Sequence, residues 1–240
     1  MSEIPAGAMR FNSDSQKLEY WNGSAWFQVH TATSDLGSAG DRQPGARAVF
    51  PLASNSYNQL DYVNTASTGN ALDFGTLTDA RLLPGALASS VRGLIGGGTD
   101  SSASNIIDHV TILSRGNASD FGDLTVARRS MASFSNNVRG IWAGGDNPSP
   151  AGDTDRIQYV TIASTGSAQD FGDLSQSAEH ISCTDNSIRG VWGGGVTPTY
   201  LNVLQYVTIA TTGDAKDFGD LSRPNLGYAG GTSDSHGGLG

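Results

Sequence analysis

IQYVTIASTGSAQDFGDL, residues 157–174, has three near-copies in the same chain: LDYVNTASTGNALDFGTL from Leu60, IDHVTILSRGNASDFGDL from Ile107 and LQYVTIATTGDAKDFGDL from Leu204. The Asp-Phe-Gly triplets start at Asp73, Asp120, Asp170 and Asp217, at intervals of 47, 50 and 47 residues. A period of this length is the mark of a repeat array. Other features keep the same register. VRGLIGGG, VRGIWAGG and IRGVWGGG follow from Val91, Val138 and Ile188. Each unit reads as short strands. An apolar run ends in glycines, and a second segment alternates with period two, Ile157, Tyr159 and Thr161 on one face and Gln158, Val160 and Ile162 on the other. A short segment around DFGDL follows a Ser-Thr-Gly or Thr-Thr-Gly turn, and a small-residue stretch typified by RRSMASFS closes the unit. Four strands in about 47 residues is the size of one blade of a β-propeller, so the chain is expected to be all-β.

The triplet also occurs as the magnesium-binding motif of protein kinases. Four copies, with no VAIK-like strand and no HRD loop, exclude that reading. The glycine clusters at Gly96–Gly98 and Gly193–Gly195 lack the Lys and Ser/Thr that complete a phosphate-binding loop. Asp73, Phe74, Asp120, Phe121, Asp170, Phe171, Asp217 and Phe218 are therefore read as repeat scaffold, the Phe filling space between neighbouring units and the Asp and Gly shaping the turn that carries it. The acid pairs Asp120/Asp123, Asp170/Asp173 and Asp217/Asp220 supply too few oxygens for calcium, and Thr76 replaces the second acid in the first repeat.

The order of an apolar strand ending in a glycine pair, a Tyr-bearing strand and a later aromatic resembles kelch repeats: WAGG at Trp142, then Tyr159 and Phe171, and WGGG at Trp192, then Tyr206 and Phe218. That resemblance implies a kelch-like β-propeller of about four blades over residues 47–240, with repeats at about 47–91, 92–138, 139–188 and 189–240. The later aromatic is Phe rather than the family's Trp, and four is a small number of blades.

Residues 1–30 form a different module. MRFNSDSQKLEYWNGSAWFQV, from Met9 to Val29, reads as a β-meander with strands at about 9–12, 17–21 and 25–29, with Asn22-Gly23 as a type I′ hairpin turn. So small a sheet cannot bury enough surface alone, which makes Trp21, Trp26 and Phe27 an expected assembly surface. Residues 31–46, rich in Gly, Ser and Pro, read as a linker. The pattern MR-[FY]-N, a polar turn and LE-x-[WY]-x-G-x-x-W is similar to segments of tail-fibre proteins of tailed bacteriophages, and the DFGDL repeats with the tail SDSHGGLG resemble virion proteins of cyanophages. This implies a virion structural protein, fibre- or adhesin-like, with other virion proteins, copies of itself (a homotrimer) and a host-surface polysaccharide as partners. A capsid decoration or tail assembly protein is the alternative reading, and a carbohydrate-active enzyme the third.

Composition narrows the classes. The 240 residues carry 32 glycines, a formal net charge of −9 and only two lysines, Lys17 and Lys216, so no basic footprint for nucleic acid exists. The lone Cys183 can build neither an internal disulfide nor a cysteine zinc site and is expected to be core. No signal peptide is expected at MSEIPAGAMR, and no apolar run is long enough to span a membrane. His109 stands where the other repeats have Tyr62, Tyr159 and Tyr206, and His30, His180 and His236 share no ligand spacing. Without a G-x-S-x-G elbow or a metal-ligand set, the sequence leads to the expectation of no enzyme, no cofactor and no metal.

Overall fold

The computed structural model describes residues 5, 7–12, 17–28, 46–52, 54, 56–148, 151–225 and 230–233. Among them there is no helix: the chain is all-β and divides into two compact units, Met1–Gln43 and Pro44–Gly240. The expected linker lies outside the described residues except for Ala46, which is buried.

The first unit is a three-stranded antiparallel meander of β1 (Met9–Asn12), β2 (Lys17–Trp21) and β3 (Trp26–Gln28). The connection from β2 to β3 is not the expected two-residue turn. The Asn22 side chain accepts hydrogen bonds from the Ser24 and Ala25 amides, both at 2.8 Å, which holds a four-residue loop and leaves only Gly23 at positive φ.

Among the described residues the second unit contains four antiparallel sheets of three to five strands and a separate two-stranded one. The first has β4 (Arg47–Pro51), β5 (Gln59–Asn64) and β6 (Leu72–Thr76), and the second has β7 (Gly85–Ala88), β8 (Arg92–Gly96), β9 (Ile106–Thr111) and β10 (Ser119–Asp123). The third is built from β11 (Ala132–Ser135), β12 (Arg139–Ala143), β15 (Arg156–Thr161) and β16 (Gln169–Asp173), with a hairpin of β13 (Asp146–Pro148) and β14 (Ala151–Asp153) inserted. The fourth has β17 (Ser182–Asp185), β18 (Arg189–Gly193), β19 (Val196–Thr197), β20 (Thr199–Thr208) and β21 (Lys216–Asn225).

The sheets are staggered by one strand against the sequence repeats. The small-residue strand pairs with the glycine-ended strand that follows it, β7 with β8, β11 with β12 and β17 with β18. Tight turns dictate this pairing. Asn136 Oδ1 accepts from the amides of Val138 and Arg139, and Asn186 Oδ1 accepts from those of Ile188 and Arg189, closing each hairpin in place. The first sheet, with no such strand among the described residues, has three strands.

Both faces of an inner sheet are buried, because each sheet packs between two others. In β15, Ile157, Gln158 and Val160 are all buried although neighbours in the strand point to opposite faces. Three apolar clusters occupy the three gaps between successive sheets. Leu60, Phe74, Ile95 and Val110 fill the first, Leu94, Phe121 and Trp142 the second, and Ile141, Phe171 and Trp192 the third. Ile95, Trp142 and Trp192 are one repeat position facing back, and Phe74, Phe121 and Phe171 are another facing forward.

Polar groups complete the gaps. Arg81 is buried, donates to the Ile95 carbonyl and pairs with buried Asp108 at 3.1 Å, while Asp108 also accepts from the Thr78 amide and hydroxyl. At the equivalent place in the next sheet Gln158 accepts from Thr125, and Arg128 turns to the carbonyls of Gly144 and Arg156. Without a carboxylate in contact, burial pulls the pKa of Arg128 down to about 10.

Candidate functional site

The meander separates the three aromatic residues read as one assembly surface. Directly paired residues share a face, so Trp21 stands beside Trp26 (ring centroids 5.6 Å apart) and Tyr20 beside Phe27 (5.8 Å) on the opposite face. On the tryptophan side Glu19 is buried, bonded by Arg10 and Asn12 at 2.9 Å, and the Arg10 guanidinium lies 4.2 Å over the Trp26 ring. These bonds hold the Glu19 carboxyl below its ordinary pKa, the Asn12 contact contributing most. The other face is the apolar one: Met9, Phe11, Leu18, Tyr20 and Phe27 are all exposed. Of the expected trio, Phe27 belongs to that face and Trp21 and Trp26 do not.

In the repeat unit each Phe of a DFG triplet sits on a strand rather than in a turn. Register runs from Asp120 opposite Asp108 to Gly122 opposite Ile107, which makes Phe121 the extra residue of a β-bulge and aims its ring at the next sheet. The ring meets His109 edge-on at 5.7 Å, as Phe74 meets Tyr62, Phe171 meets Tyr159 and Phe218 meets Tyr206. Asp120 and Asp217 accept from the glycine amides two residues on, while Asp73 and Asp170 are exposed. Phe74, Phe121 and Phe171 are each 2% exposed, but Phe218 is 53% exposed. Among the described residues no group of three or more His, Cys, Asp or Glu is arranged to hold a metal.

A cavity of about 560 Å³ lies where the innermost strands of successive sheets meet. β7, β11 and β17 run side by side: the Ser133 and Ser135 hydroxyls donate to the Ala86 and Ala88 carbonyls, and Cys183 Sγ and the Ser135 amide link β11 to β17. The lining is mixed: the hydroxyl residues Ser89, Ser90, Ser133, Ser135 and Thr184 and two charged groups, Asp185 and Arg47, stand among the apolar side chains of Leu87, Ile112 and Phe134. Burial pushes the Asp185 pKa up against the opposing pull of the Ser135 amide. Cys183 is half-buried at this wall, where it packs against the third apolar cluster, and burial raises its thiol pKa, which keeps it from being a reactive thiolate. Such a wall suits hydrogen bonding to a polar ligand with many hydroxyls. None of its residues was singled out by motif, because each sheet contributes only one short strand of small residues.

His180 is not at this cavity. It shares its left-handed backbone with Leu83 and Ser130 at the equivalent repeat positions, and its ring contacts Glu179 at 3.2 Å. Burial drives the Glu179 pKa up to about 7, with Asp146 adding to the rise, and drives that of His180 down, so burial works against charge on both partners. Arg129 meanwhile forms a two-pronged pair with Asp146 at 3.1–3.2 Å.

No family model matches the chain, and no curated protein does. Among solved structures, the one described as "Structure of YjhT" is similar in fold, with a TM-score of 0.61 at 7% identity. The likeness covers 75% of this chain and 64% of that one, so the chain spans somewhat under two thirds of the length of the structure it matches. This likeness overturns the expectation that the chain is not an enzyme. That expectation rested on missing local motifs, and residues of separate sheets meet in this fold, as at the cavity above, without any local motif to announce them.

Proposed function

We propose that the chain is a bacteriophage virion appendage protein whose first unit assembles it and whose second unit is a kelch-like propeller arc of four blades that presents a binding surface. The observation that carries this reading is the apolar face of Met9, Phe11, Leu18, Tyr20 and Phe27, exposed on a three-stranded sheet too small to keep it uncovered. Copies of the chain, in a homotrimer, or another virion protein cover it. The repeat unit then faces outward, and its hydroxyl-lined cavity is the place for a host-surface polysaccharide.

The reading is supported by the modular order, by the resemblance of the meander to tail-fibre segments and by the serine and threonine hydroxyls that line part of the cavity. Immunolabelling of purified particles with an antibody against the repeat unit tests it. Labelled intact particles are expected, and particles free of the protein would overturn it.

A further inference from the structure

Every gap between sheets is made by two unlike faces, and each face has one unpaired copy at an end of the stack. The forward face carries Phe74, Phe121 and Phe171, buried in the three gaps, while Phe218 of the last sheet is half exposed. The backward face carries Ile95, Trp142 and Trp192, also buried, while Phe50 at the same position of the first sheet is 50% exposed. One chain's two ends therefore do not cover each other.

The finer fittings repeat the pattern. A Cβ on Gly75, Gly122 or Gly172 would strike the backbone of Gly116, Gly166 or Gly213 in the next sheet, at 2.3–2.5 Å. Gly219, the equivalent donor at the end, faces open space. Arg47, Arg92 and Arg139 each donate across a gap to the carbonyl of Ile112, Ile162 or Ile209, at 2.8–3.1 Å. Arg189 lies over Tyr206 and its guanidinium donates to no described residue, while Thr65 holds the place of the receiving isoleucines.

A terminal segment is out of place in the same sense. Gly230–Ser233 lie beside β17, Ser233 Oγ donating to the Asp185 carbonyl at 2.6 Å as Ser135 Oγ does to Ala88. They continue the series β7, β11, β17 without a sheet of their own. Among the described residues the first sheet lacks such a strand, and an apolar cavity of about 290 Å³ between β4 and β7 marks the seat.

We infer that the forward face of one copy of this chain binds the backward face of a second copy, head to tail. Gly230–Ser233 of the first copy add along the inner edge of β4 of the second, so that main-chain hydrogen bonds extend the sheet as they do between β11 and β12. The interface is heterologous, and successive copies build a closed ring or an open file.

The test uses the full chain carrying Phe11→Asp and Phe27→Asp, which disables the meander's apolar face and leaves the repeat unit untouched. In that background light scattering is expected to give a mass at least twice that of one chain. Adding Phe50→Asp, or separately Phe218→Asp, is expected to give monomers, because each removes one face. An equimolar mixture of the two is expected to return a one-to-one dimer, since each supplies the face the other lacks. Arg189→Ala, which removes an exposed side chain together with its contact on Tyr206, is expected to weaken self-association about tenfold, the loss of one charge-assisted hydrogen bond. A monomeric parent background, assembly indifferent to both Phe substitutions, or a mixture that stays monomeric would each overturn the inference.

Discussion

Replacing Gly122 and Gly219 by alanine separates two costs that a buried glycine conceals. Both hold φ values that side chains rarely adopt, +142° and +133°, and holding alanine there costs on the order of 1–3 kcal/mol. At Gly219 that is the whole cost, because an added Cβ meets nothing within 4 Å. At Gly122 the Cβ would lie 2.5 Å from the carbonyl carbon of Gly166 and 2.7 Å from the Ser167 nitrogen. Backbone cannot swing aside as a flexible side chain does, so the sheets must part locally, at a further cost of about 1–3 kcal/mol. Gly122→Ala is thus expected to destabilise by about 2–6 kcal/mol and Gly219→Ala by about 1–3 kcal/mol. Thermal midpoints should fall by about 2–4 °C for each kcal/mol in a chain of this size. Urea unfolding followed by tryptophan fluorescence, at chain concentrations where the midpoint does not move on dilution, measures both. Equal losses would refute the claim that the DFG glycines exist for the close approach of successive sheets.

Asp108→Asn leaves Arg81 buried without its counter-charge and is expected to cost about 3–5 kcal/mol in urea unfolding; a loss below about 1 kcal/mol would mean that Arg81 is already satisfied by the Ile95 carbonyl. Glu179 has a pKa raised from 4.5 to about 7, so the folded chain binds more protons than the unfolded one between those values, and its contribution to stability falls as pH rises through that window. The lowered pKa of His180 works in the opposite direction, so the quantity to measure is the difference between parent and Glu179→Gln from pH 4.5 to 7.5, which should shift in favour of the variant as pH rises. A difference that is flat or of opposite sign would show that Glu179 is not desolvated. Phe11→Asp with Phe27→Asp is expected to reduce the mass of the native assembly while leaving the unfolding midpoint of the repeat unit in place; Trp21→Ser, on the other face, should reduce it less.

The repeat period was readable because the alternating strand and the DFG bulge each recur as local patterns, and β5, β9, β15 and β20 stand in their places. The partner of the small-residue strand was not, because RRSMASFS sits equally close in sequence to the strands before and after it. The choice is made by the asparagine- and serine-closed turns at 89–91, 136–138 and 186–188. Trp21, Trp26 and Phe27 look like one aromatic cluster in a linear reading, yet strand alternation puts consecutive residues on opposite faces, and the pairing of Trp21 with Trp26 settles which. Cys183 was expected in the core as a small thiol. It packs against the third apolar cluster and also lines the cavity, where a narrow side chain leaves room between neighbouring strands. The cavity itself was invisible, since Ser135 and Asp185 are 50 residues apart and meet only through the stacking of β11 on β17.

Because each sheet packs only against those next to it in sequence, stability along the repeat unit is a sum of nearest-neighbour terms. Fraying then starts at the two ends and moves inward. Amides of β8, β9, β12 and β15, central strands of sheets flanked on both sides, should exchange with solvent slowest, and those of β4, an edge strand of the first sheet, faster. The same arithmetic makes the number of units adjustable: adding or removing one whole period creates no kind of contact that the chain does not already contain.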